Sequence, residues 1–161
     1  MRRRVVSNAV LLADVERLLL DGERVTLRCR GNSMLPFIVG GRDSVVLERY
    51  RDDESCRVGD VVFARLGEGV YVIHRVIAIY NIGVGREEFS LMGDGNERAV
   101  ERVSWEQIIG VVRGVESEDG EYREFGGGGV FWWRVWNSFR CVRPLLLRVY
   151  YLFNRDKIDQ I

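Results

Sequence analysis

The chain of 161 residues holds one lysine, Lys157, and one histidine, His74. Nearly all its positive charge is therefore arginine, which stays protonated and cannot act as a base near neutral pH. Any chemistry that needs a proton acceptor there must use His74, a perturbed carboxylate or a cysteine. Cysteine is scarce as well. Cys29, Cys56 and Cys141 form an odd set without CxxC spacing, which argues against a disulfide framework or a zinc site and suits free thiols in a reducing compartment. An excess of either charge is missing: 24 basic residues face 24 acidic ones. That excludes a mainly electrostatic nucleic-acid binder, which would carry a basic surplus.

Long apolar runs are also missing, and none reaches the roughly 18 to 20 residues of a membrane-spanning helix. The basic start at Arg2, Arg3 and Arg4 leads into a stretch broken by Asp14, Glu16 and Arg17, so no export signal is readable. The expected location is the cytoplasm, and no cofactor or metal is expected. What remains is a chain with 47% hydrophobic residues, long enough to bury one ordinary core.

Residues 7–20 place Val10, Leu11, Val15, Leu18 and Leu19 on a broad apolar helical face, with Ser7 or Asn8 as cap and Asp21-Gly22 as stop. The period then changes to two. Residues 24–30, 44–48, 60–66, 70–80, 87–92 and 108–116 read as strands, divided by glycine-rich turns. Many short strands at this spacing predict a mainly β fold of coiled antiparallel sheets, as a sandwich or barrel. The expected division is a domain over 1–125, followed by a glycine joint at 126–129 and a helical appendage to residue 161. Between Phe131 and Phe153 the appendage is rich in aromatics, leucine and arginine, and Pro144 must break or kink any helix through it. Two readings stay open for it: short helices packing back on the sheet, or a segment touching a membrane surface or a protein partner.

Three segments carry candidate chemistry. In Gly31-Asn32-Ser33-Met34-Leu35-Pro36 a glycine permits a sharp turn, and the proline fits the first turn of a short helix. A serine there would have backbone N–H groups beside it, the ingredients of a nucleophile next to an oxyanion hole, although most such serines only cap a turn. His74 lies in an apolar strand, on the face of Val72 and Val76, while Arg75 points the other way. Alone, such a histidine is more often a hydrogen-bonded structural one. Gly93-Asp94-Gly95-Asn96 has the composition of a tight turn.

The order of these segments adds what none has alone. GNSMLP, then Val58-Gly59-Asp60-Val61-Val62, then His74-Arg75-Val76, then Gly93-Asp94-Gly95-Asn96 resembles the type I signal peptidases and the related self-cleaving, LexA-like repressor peptidases. Within that group the chain is similar to the archaeal and endoplasmic-reticulum enzymes, which use a histidine followed by Arg-Val where others use lysine. The resemblance covers about residues 24–114. It implies a serine peptidase with Ser33 as nucleophile, His74 as general base and Asp94 as the acid that orients the ring. Gly31, Asn32 and Met34 would shape the oxyanion site, with the Ser33 backbone N–H as donor and Met34 packed beneath. It also implies a peptide or protein substrate bound extended along a strand edge, with small side chains around the cut.

The chain departs from that pattern at Gly31, where signal peptidases carry a serine. It also lacks their second aspartate, Glu97 and Glu101 being the nearest acids. These departures keep two alternatives open: a peptide-binding module without turnover, and a regulatory protein that cuts itself.

Overall fold

The computed structural model describes residues 8–96, 99–125, 128–138 and 142–158. An N-terminal helix, α1 (Asn8–Leu20), precedes five strands: β1 (Val25–Arg28), β2 (Ser44–Glu48), β3 (Val61–Gly67), β4 (Val70–Gly83) and β5 (Arg86–Met92). Three more follow, β6 (Glu101–Ser104), β7 (Ile108–Glu116) and β8 (Tyr122–Glu124), and then the helices α2 (Gly128–Ser138) and α3 (Arg143–Ile158). The fold is mainly antiparallel β with helices at both ends.

The strands form one open sheet in the order β1-β2-β7-β3-β4-β5-β6, with β8 added to β7. This differs from a sandwich or closed barrel. Register shifts in β2–β7, β3–β7, β3–β4 and β4–β5 bend the strands locally, as bulges do, so a single sheet serves where short strands suggested two. Both of its faces are covered. Phe63, Tyr71 and Ile73 pack with Val15 and Leu19 of α1 on one side. Val62, Ala64, Val72 and Val76 pack with Phe89 and Leu91 on the other. The alternation along β3 and β4 therefore places successive residues in different cores.

The end of α1 follows local rules. Gly22 takes φ +84° and donates to the Leu19 carbonyl while Glu23 donates to that of Leu18, a left-handed stop that glycine adopts without strain. Of its two candidate caps, Ser7 lies outside the described residues. Pro144 stands at the second position of α3, where its missing N–H costs nothing, so it starts that helix instead of kinking it. Of the expected glycine joint, Gly126 and Gly127 lie outside the described residues, whereas Gly128 and Gly129 form the first turn of α2.

The two C-terminal helices rest on the turn that carries Ser33. Leu147, Trp136 and Tyr150 pack with Leu35 and Val39, and the Trp136 indole N–H donates to the Asp94 carbonyl at 3.0 Å. The aromatic and arginine content of this segment is partly accounted for by such contacts, with Arg75 lying against Trp133 and Arg143 against Trp136. Trp132, Leu145 and Leu152 remain exposed. No helix among the described residues is long and apolar enough to cross a membrane.

Candidate active site

Ser33 lies in a series of turns between β1 and β2 rather than at the start of a helix. Phe37 and Ile38 donate to the Met34 carbonyl, and Leu35 to that of Asn32; the Leu35–Pro36 peptide is cis. The backbone N–H groups of Ser33 and Met34 make no hydrogen bond among the described residues. Gly31 has φ +77°, a conformation that serine adopts only under strain. The turn thus has a backbone reason for glycine at this position. Met34 is buried in the core beneath, and the Oδ1 of Asn32 is buried without a hydrogen-bond partner.

The Gly93-Asp94-Gly95 turn is pressed against this loop. Gly95 donates to the Ser33 carbonyl at 2.8 Å. A Cβ on Gly93 would stand 2.3 Å from that same oxygen, and one on Gly95 would stand 2.7 Å from the Asn32 carbonyl. The two glycines are needed for close approach of backbone to backbone, which is how the turn positions the serine.

Asp94 itself does something other than orient His74. Its carboxylate takes a bidentate pair from Arg75, at 2.8 Å from Nε and 2.7 Å from Nη2, and both side chains are about 1% exposed. Arg75 also donates to the Gly59 carbonyl at 2.6 Å and lies against Phe37, Phe125 and Trp133. Burial pushes the Asp94 carboxyl above its ordinary range, opposed by the Arg75 guanidinium. This pair ties together β4, the turn after β5, the Ser33 loop and α2. The expectation that Asp94 supports the imidazole is corrected: strand alternation sends His74 and Arg75 to opposite sides of β4, and Asp94 lies on the arginine side.

The acid that meets His74 is Glu101. The ring Nδ1 stands 2.9 Å from Glu101 Oε2, with His74 7% and Glu101 22% exposed at the side chain. The ladder explains the match. Val76 pairs with Leu91 and Leu91 with Glu101, so Glu101 projects on the same face as Val76 and therefore as His74, two residues earlier. In a neutral imidazole, donation from Nδ1–H to this carboxylate leaves the lone pair on Nε2. No hydrogen bond to Nε2 occurs among the described residues. Glu101 was visible in the sequence as a nearby acid; the missing information was β6, a four-residue strand that periodicity did not mark.

Ser33 and His74 line one cavity of about 280 Å³, whose walls come from α1, β1, β3, β4 and the Ser33 turn. Among the described residues, neither Cys29 nor Cys56 offers a rival nucleophile. Burial pushes the thiols of Cys29 and Cys56 up to about 12, so both are protonated and inert at neutral pH. No group of three or more His, Cys, Asp or Glu residues able to hold a metal occurs among the described residues. No protein-family model matches the chain, and no characterised protein matches it significantly.

Proposed function

We propose that the protein is a serine endopeptidase of the signal-peptidase and repressor type, in which Ser33, His74 and Glu101 act together. The observation that carries this reading is that Ser33 and His74 line one cavity, with His74 paired to Glu101 at 2.9 Å. The order of the four sequence motifs points the same way. In the reaction, the Ser33 hydroxyl attacks a peptide carbonyl while Nε2 of His74 accepts its proton. Glu101 holds the ring and stabilises the imidazolium, the oxyanion takes the backbone N–H groups of Ser33 and Met34, and the proton passes to the departing amine. Water then cleaves the acyl-enzyme through the same base. The tight packing of the Ser33 loop suits a specific processing peptidase, because a fixed nucleophile needs a substrate delivered in register.

Digestion of a peptide library by the wild type and by Ser33→Ala, read by mass spectrometry, tests this. Cuts made by the wild type alone are expected. Cuts that persist in Ser33→Ala, or a folded wild type that makes none, would refute it. Activity surviving His74→Ala would remove the mechanism, since Lys157 is the chain's single lysine.

A further inference from the structure

The cavity beside Ser33 is larger and more apolar than a site for small side chains requires. Leu11 and Leu12 of α1, Leu27 of β1 and Tyr71 of β4 supply its apolar wall, backed by the buried Ile38 and Phe63, beside Arg28, Arg30 and His74, and its volume is about 280 Å³. An apolar cavity of about 150 Å³ is enough for a benzene molecule. A substrate methyl group would leave most of this space to water against hydrocarbon, whereas a leucine, methionine or phenylalanine side chain would displace that water.

The helix α1 is fixed in place rather than loosely apposed. Val15 and Leu19 are buried in the sheet core. Glu16 accepts a hydrogen bond from the Tyr71 hydroxyl at 2.5 Å and pairs with Arg65 at 3.1 Å. Anchored one turn further along, the helix holds Leu11 at 45% exposure and Leu12 half-buried at the cavity. These apolar side chains are left uncovered beside the candidate nucleophile.

We infer that α1 is a wall of the substrate pocket and that Leu11 and Leu12 set a preference for a large apolar side chain next to the cut, in place of a small one. This rests on the peptidase reading for the identity of the substrate as an extended peptide. Each added carbon buried in such a pocket changes binding about fourfold, so leucine should be preferred to alanine by about 60-fold for three carbons.

The test uses N-acetyl-Ala-Ala-Xaa-Ala-Ala amides with Xaa as alanine, leucine or phenylalanine. Binding to Ser33→Ala is measured by calorimetry and cleavage by the wild type. Leucine and phenylalanine peptides are expected to bind Ser33→Ala more tightly than the alanine peptide, and Leu12→Trp, which fills the cavity, should remove that preference. Equal binding of the three peptides would overturn the inference, as would a Leu12→Trp protein that keeps the leucine preference. The two readings fail separately. A binding preference without any cleavage leaves the pocket standing and refutes the peptidase, whereas cleavage that favours alanine leaves the peptidase and refutes the pocket.

Discussion

Replacing Asp94 by asparagine separates a structural acid from a catalytic one. The change keeps the side-chain shape and removes the charge that Arg75 faces across a bidentate contact of 2.7 to 3.1 Å. Arg75 is 1% exposed and cannot turn to water, and its other polar partner is the neutral Gly59 carbonyl. Leaving one member of a buried pair uncompensated costs about 3–5 kcal/mol. In a domain of this size each kcal/mol lowers Tm by about 2–4 °C, so Asp94→Asn should melt about 6–20 °C below the wild type. Circular dichroism against temperature, with urea unfolding as a second probe, reads the loss directly. Adding Arg75→Met should cost much less in the Asp94→Asn background than alone, because the orphaned charge leaves with it. An Asp94→Asn protein that melts within about 2 °C of the wild type would refute the clasp, and the account of how the Ser33 loop is held would go with it.

Glu101→Gln should give the opposite profile: kcat lower by about 10²–10⁴-fold with KM little changed, and a Tm close to wild type because Glu101 is partly exposed; steady-state kinetics beside a melt decide it. Gly93→Ala puts a methyl group against the Ser33 carbonyl and should cost both stability and activity, whereas Gly67→Ala, with open space around it, should leave activity unchanged; one thermal and one kinetic assay compare them. Cys29 and Cys56 hold their protons to about 12 in the fold, against 9.0 for an ordinary thiol. Since only the unfolded chain ionises between those values, stability is complete below pH 9 and falls through that window by about 1.4 kcal/mol per pH unit per thiol, which urea titrations at stepped pH will measure. At pH 7.5, in a Cys141→Ser background, thiol labelling should be slow until denaturant is added.

Much of the strand layout was readable because it rests on local periodicity. The strands at 44–48 and 108–116 coincide with their alternating runs, and the others differ by a few residues at their ends. The short β6 and β8 escaped, since three or four residues carry too little pattern to outweigh their polar neighbours. The glycine-rich turns were also legible as turns, although the reason for Gly93 and Gly95 is a second backbone lying against them, which no local pattern records.

The candidate site divides along the same line. A chain with one histidine and one lysine at residue 157 leaves little choice of base, and Ser33 between a glycine and a proline marks a turn; both facts are compositional or local. Which acid meets that base depends on register across β4, β5 and β6. Arg75 opposite Met92 brings Asp94 to the arginine, and Val76 opposite Leu91 and Leu91 opposite Glu101 bring the glutamate to the histidine. Adjacent residues on a strand face opposite ways, so neighbours in sequence acquire different partners in space. Likewise the sequence determines α1 as an amphipathic helix, but its place over the cavity follows from the docking of Val15, Glu16 and Leu19 against residues some 50 positions away. Local chemistry marked Ser33 and His74 as candidates; the pairing of distant strands chose the acid beside His74 and the walls around the cavity.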